Sequence, residues 1–255
     1  MVSRTKLKNY LNSLLNVFEY QDYCPNGLQI EGKEDIKKIA FAVSATKDSI
    51  QKAVALGADA LVVHHGLFWK FHGAKKITGP FYQRVAPIIK TDMNLFGYHL
   101  PLDANLEVGN AKAIADYLQL TDLKAFGDYK GMPTGVKGKF KNKISAKQLK
   151  DNLENILGHD VMHASPDDEQ EISSIGIITG GANSDWVSSQ KEGLDAYLTG
   201  EMSEHDWHES KEAGIHFYAG GHNATESFGI QRLLERIDKD FEDLELFYIP
   251  SSNPA

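Results

Sequence analysis

Cysteine is nearly absent. Cys24 stands alone in 255 residues, which excludes an internal disulfide and any zinc site built from cysteines. Long apolar runs are missing too, and none approaches the ~18 residues a membrane helix needs. Arg4, Lys6 and Lys8 are not followed by the apolar core of a secretion signal. Leu7, Leu11, Leu14, Leu15 and Phe18 recur there at helical spacing and predict a folded amphipathic helix. Positive charge is short as well. Lys and Arg number 27 against 35 Asp and Glu, a formal net charge of −8, the wrong sign for a chain that neutralises phosphates and a mark against a nucleic-acid partner. Neither a Walker sequence nor a GxGxxG turn is present, so no standard phosphate cradle is available. With 42% hydrophobic and 24% charged residues, the expectation is a soluble cytoplasmic protein of one large domain or two small ones.

Histidine, by contrast, is plentiful, and the placement of the ten carries the chemistry. His64 and His65 are adjacent and close the apolar run Ala60–Val63. His99 ends the stretch Leu95–Tyr98, and Asp103 follows it. His222 closes Ile215–Gly221, with Glu226 four residues on. All three groups fall where a strand should stop.

An internal repeat organises the chain. IAFAVSATKDSIQKAVALGADALVVHH (Ile39–His65) lines up with IGIITGGANSDWVSSQKEGLDAYLTGE (Ile175–Glu201) at a constant offset of 136 (175 − 39). Gly57-Ala58-Asp59-Ala60-Leu61 falls on Gly193-Leu194-Asp195-Ala196-Tyr197 without a gap. Each copy reads as strand, small-residue turn, helix, Gly-x-Asp-Ala turn and second strand, a βαβ unit. Runs such as Leu61-Val62-Val63 suit parallel strands buried on both faces. Asn94–His99 and Ile215–His222 supply a third strand to each copy. The expected fold class is α/β, two related units with mainly parallel sheets. The Gly/Pro-rich stretch Gly127–Gly138 reads as a link. It divides the chain into a metal-binding domain of residues 1–127 plus 220–255 and a second domain of residues 128–219. Ile144–Leu157 is predicted as a helix stopped by Gly158, Ser227–Asp240 as another, and Leu244–Ile249 as a last strand.

Sites in open α/β sheets form at the carboxyl ends of strands, where these candidates sit. Imidazole with carboxylate suits zinc, manganese, iron or nickel; an all-oxygen set would suit magnesium or calcium. In extended backbone His64 and His65 point oppositely, so a turn would let each grip a different, neighbouring ion. Asp103 can complete one ion's shell and His222 the other's. Glu226, one helical turn beyond His222, can bridge the two. Two cations ~3.5–4 Å apart activate water at neutral pH without a protein base. Taken singly, each feature has a plainer reading: a surface His-His pair, an aspartate cap, a helix-start contact between His222 and Glu226.

At these residues the chain resembles a known family. HHGLFW (His64–Trp69), GYHLPLDAN (Gly97–Asn105), TGEMSEHDWH (Thr199–His208), FYAGGHNATE (Phe217–Glu226) and YCPNGLQIEG (Tyr23–Gly32) resemble the GTP cyclohydrolase I type 2 homologue family, also called Nif-three-like, in its short bacterial form. The resemblance runs from the first helix to the final NPA. It implies two divalent metal ions per chain, zinc, iron or manganese, held by His64, His65, Asp103, His222 and Glu226, with Glu226 touching both. It also implies a ring-shaped homohexamer and a metal-dependent hydrolase acting on a purine nucleotide or related small molecule. A dinuclear phosphoesterase or amidohydrolase, or a metal-binding adaptor without turnover, is the alternative. His99 is a candidate to orient Asp103 or a metal water. His205 and Glu201, after the second repeat's strand, are candidates to line the substrate side. Phe68 and Trp69 serve as core or subunit contact, or else wall a pocket for a planar base. Two departures from the family pattern are the YIPSSNPA end, with Ser251 and Ser252, and Lys137 where arginine is common.

Overall fold

The computed structural model describes residues 1–254; Ala255, the last residue of the NPA end, lies outside them. The chain forms two compact units, Met1–Leu102 with Ile230–Ser252, and Asp103–Gly229, with which residues 253–254 group.

The first unit holds a five-stranded sheet in the order Glu245–Tyr248, Lys38–Ser44, Ala60–His65, Asn94–Gly97, Gly27–Ile30. The first four run parallel and Gly27–Ile30 is antiparallel to its neighbour. Ala60 to Val63 are fully buried, because helices cover a parallel sheet on both faces. Helix Lys47–Ala55 starts at a reciprocal cap between Thr46 and Ser49 and buries Ile50 and Ala53. The amphipathic first helix spans Arg4–Leu14, with Leu7 and Leu11 buried. Phe18 departs from the expected stripe and is 87% exposed. The helix has already ended there, since Asn16 adopts φ 49° and starts a separate 3-10 turn at Val17.

The second unit holds a six-stranded sheet in the order Thr121–Phe126, Gly135–Ser145, Glu171–Ile177, Ala196–Thr199, His216–Ala219, Met162–Ala164. Only the three consecutive strands from Glu171–Ile177 to His216–Ala219 are parallel to one another; the remaining pairings are antiparallel. Alternate residues feed two cores, as the two-residue period of a strand requires. Ala196, Leu198 and Tyr218 pack with Leu149 and Leu153, while Tyr197, Phe217 and Ala219 pack with Trp186. Helix Ala146–Leu157 is capped by the Ser145 hydroxyl and stopped by Gly158 at φ 79°.

Gly127–Gly138 is not a link between units. Thr121–Phe126 pairs antiparallel with Gly135–Ser145, so the stretch is a hairpin connection inside the second sheet. The compact units accordingly divide at Leu102/Asp103 and Gly229/Ile230 instead of 127/128 and 219/220. Glycines that permit a turn look the same in sequence whether they join strands or domains.

The repeat is present in three dimensions. Ile39 pairs with Ala60 and Ile175 with Ala196, each residue at the same offset in both copies. Gly57 and Gly193 both adopt φ 67°. The aspartate that follows each plays one part twice. Asp59 Oδ2 accepts from the backbone N–H of Lys37 and Lys38, and Asp195 Oδ2 from those of Ser173 and Ser174. The third strands break the parallel drawn from their histidines. Ala60 pairs with Asn94 and Ala196 with His216, so counting on from these pairs brings His222 level with Leu100, one residue beyond His99.

Candidate metal-binding residues

In the first unit, His64 and His65 are the last two residues of strand Ala60–His65, and no turn separates them. Their ring centroids are nonetheless 4.5 Å apart. His64 is fully buried, and its Nδ1 lies 2.9 Å from the carbonyl oxygen of Tyr98. A carbonyl can only accept, so Nδ1 carries the proton and ligation falls to Nε2. His65 Nδ1 is 2.9 Å from the Ser44 hydroxyl, which leaves the same nitrogen for a metal. His99 joins the pair: one nitrogen from each of the three histidines lies within 4.8 Å of the others.

His99 is held by a partner that sequence reasoning passed over. Its Nδ1 sits 3.0 Å from Oδ1 of Asp22, a carboxylate that is 4% exposed. Asn26 Nδ2 and the backbone N–H of Tyr23 and Leu100 also donate to Asp22. Burial pushes the Asp22 carboxyl upward, but the hydrogen bond and charge of His99, with the Asn26 and Leu100 donors, outweigh it and hold the pKa at about 2. The Asn26 side-chain oxygen accepts from the backbone N–H of His99, so the Tyr23–Gly27 turn braces this histidine. Trp69 stands 5.8 Å from the His65 ring and 5.1 Å from that of His99, flanking the cluster as an aromatic wall.

In the second unit, Asp103, His222 and Glu226 come together. His222 opens the short helix His222–Thr225 and Glu226 caps it, which brings His222 Nε2 to 3.2 Å from Glu226 Oε2. Asp103 and Glu226 place carboxylate oxygens within 4.8 Å of each other, and both residues are buried, at 4% and 3% exposed. Asp103 Oδ1 accepts from Asn110 Nδ2 at 2.9 Å and from the Thr179 hydroxyl at 3.0 Å. The Asn110 side-chain oxygen in turn accepts from Gly229 N–H. Glycine makes room for this group: a Cβ on Gly180, at φ 71°, would stand 2.1 Å from Glu226 Oε1. Glu201 Oε1 lies 2.5 Å from His222 Nδ1. Burial alone would lower the His222 pKa, yet the hydrogen bonds and charges of Glu226 and Glu201 raise it to about 9. A cation held at the His222 ring would have to displace a proton, which is easier at higher pH. His205 lies on the exposed side of helix Glu204–Glu212, 56% exposed, with Nε2 3.5 Å from Asp206; Glu201 is the residue that meets His222.

Asn110 and Thr179 carry no motif, though Asn110 is a fully buried polar residue in the alanine-rich helix Asn110–Tyr117. Asp22 directly precedes a quoted motif. Lys137 pairs with Glu192, away from any of these groups in sequence. No helix among the described residues is long and apolar enough to cross a membrane.

Residues 2–254 match the family described as Duf34/NIF3 (NGG1p interacting factor 3). A Pasteurella multocida (strain Pm70) protein named GTP cyclohydrolase 1 type 2 homolog is 39% identical over 250 residues, 98% of each chain. An Escherichia coli (strain K12) protein of the same name is 37% identical over 254 residues, covering 100% of both. Among solved structures, protein ybgI, described as of unknown function, superposes with a TM-score of 0.92 at 37% identity over 100% of both chains. TTHA1606 from Thermus thermophilus gives 0.87 at 29% identity, again over 100% of both.

Proposed function

The chain belongs to the Duf34/NIF3 family, and from this premise we propose that it is a dinuclear-metal-dependent hydrolase acting on a purine nucleotide or a related small molecule. His64, His65, Asp103, His222 and Glu226 would hold two divalent cations. Three imidazoles and two carboxylates fit zinc, iron or manganese. Such ions supply acidification of water and polarisation of the substrate. The observation that carries the reading is the engagement of Nδ1 on all three histidines: Tyr98 oxygen on His64, Ser44 on His65, Glu201 on His222. That is the outer-shell pattern of metal-ligating histidine, and it presents Nε2 in each case.

The chain's own groups do the rest. Asn110 and Thr179 hold Asp103, Trp69 walls the histidine cluster, and the Asp22–His99 pair keeps an imidazole beside His64 and His65. The name carried by the relatives makes GTP the first substrate to try, with water adding at C8 of guanine, the imidazole ring opening, and formate leaving after a second water. Assembly as a homohexameric ring in the cytoplasm completes the proposal.

Elemental mass spectrometry on gently purified protein tests it first. Close to two metals per chain is expected in the parent and far fewer in a His65→Ala/Glu226→Ala double variant. Near zero in both, after zinc, manganese and iron have been offered, overturns the reading. With metal in place, GTP consumption and formate release then separate a cyclohydrolase from a phosphoesterase, which would release phosphate, and from an adaptor, which would turn over neither. Light scattering gives the oligomeric mass.

A further inference from the structure

The internal repeat places Glu201 where the first copy has His65, Gly200 where it has His64, and Gly180 where it has Ser44. Only the first copy carries histidines at its strand end. In the second copy a side chain at position 200 is excluded, because a Cβ there would meet His222 Cα at 2.6 Å and the Gly180 carbonyl oxygen at 2.7 Å. The backbone of His222 occupies that space, hydrogen-bonded through Gly221 N–H to Gly200 O. An imidazole thus reaches this strand end from the third strand's loop instead of from the strand itself. The oxygen that engages its Nδ1 also changes origin. In the first copy Ser44 meets His65 from the neighbouring strand at 2.9 Å. In the second, Gly180 has no side chain to do so, and Glu201 meets His222 at 2.5 Å.

We infer that Glu201 is a positioning residue, the second repeat's counterpart of a ligand turned into the carboxylate that orients one. It accepts the Nδ1–H of His222, fixes the ring plane and the tautomer, and presents Nε2 towards the side of Glu226. The contact does not depend on the glycine beside it, since a Cβ on Gly181 would only touch the His222 ring at 3.4 Å and Glu201 Oε1 at 3.6 Å. Glu201 itself is half exposed, so its loss should leave the fold intact.

This inference rests on the metal-binding reading above, and the test separates the two. Metal-free protein is titrated with zinc against a competing chelator for the parent, Glu201→Ala and Glu201→Gln. Loss of an orienting carboxylate should weaken zinc binding by roughly 10–100-fold, and glutamine, whose amide oxygen still accepts, should restore most of it. Equal affinity in parent and alanine variant overturns the positioning role and leaves the metal reading standing. A parent that takes up no zinc overturns that reading instead. The His222 Nδ1–H resonance of the metal-free protein then decides for Glu201. A downfield signal in parent and Glu201→Gln that is lost in Glu201→Ala supports the inference, and one unchanged in Glu201→Ala refutes it.

Discussion

The two repeats share a frame and differ in what stands at its end. In both an aspartate gathers two backbone N–H groups of the first strand or its edge, both turn at a left-handed glycine, and both pair their first two parallel strands in the same register. Yet one strand finishes in His64-His65 and the other in Gly200-Glu201. The difference teaches where each kind of constraint lives. Backbone hydrogen bonds and buried apolar runs fix the frame, whereas the carboxyl ends meet loops that differ between the copies, and there the residues diverge.

The comparison breaks most sharply at Gly200. Gly200→Ala would force a methyl group against backbone on two sides, which cannot move as a flexible side chain can. A loss of about 3 kcal/mol in denaturant stability is expected, together with loss of metal uptake. A variant as stable as the parent would mean that His222 does not lie against this strand end.

The capping aspartates should be nearly equivalent. Asp59→Ala and Asp195→Ala each strand two backbone donors, and each should cost about 2 kcal/mol. They differ in their remaining partner: Lys33 ammonium at 2.7 Å for Asp59, and the Ser173 and Ser174 hydroxyls for Asp195. Half-molar salt should therefore shrink the Asp59 effect and leave that of Asp195 unchanged. For both, burial raises the carboxyl pKa but the donors outweigh it, so the pKa lies below its ordinary value. The unfolded chain then binds protons more readily. Their contribution is present above about pH 4 and is lost as the pH falls further, and acid denaturation curves of the two variants should converge on the parent there. Continued separation at pH 2 would argue that packing, not charge, is what the aspartates supply.

Ser44→Ala is the smallest change. It removes one hydroxyl from His65 and should cost no more than about 1 kcal/mol, with metal affinity falling less than for Glu201→Ala, because a neutral hydroxyl orients an imidazole more weakly than a carboxylate. The reverse order would place the stronger orienting contact in the first repeat.

Much of this was legible in the amino acids. The offset between the copies, the helix expected over Ile144–Leu157 and found at Ala146–Leu157, the helix Ser227–Asp240 and the strand ending in His64-His65 follow from periodicity and from Gly-x-Asp turns, which are local signals. Gly127–Gly138 was misleading, because a hairpin and a link use the same turn residues. Asp22, Asn110 and Thr179 were invisible as partners. Each is one polar residue among many until the fold brings it to His99 or Asp103.

The sequence by itself determined the duplicated α/β frame and the residue types able to hold metal. Hydrophobic period and turn chemistry act within a dozen residues and need no distant partner. Tertiary structure alone decided the unit boundaries, the one-residue offset between His99 and His222, and which oxygen faces which imidazole nitrogen. A hydrogen bond depends on distances of a few tenths of an ångström between residues far apart in the chain, and only the packed sheets fix those.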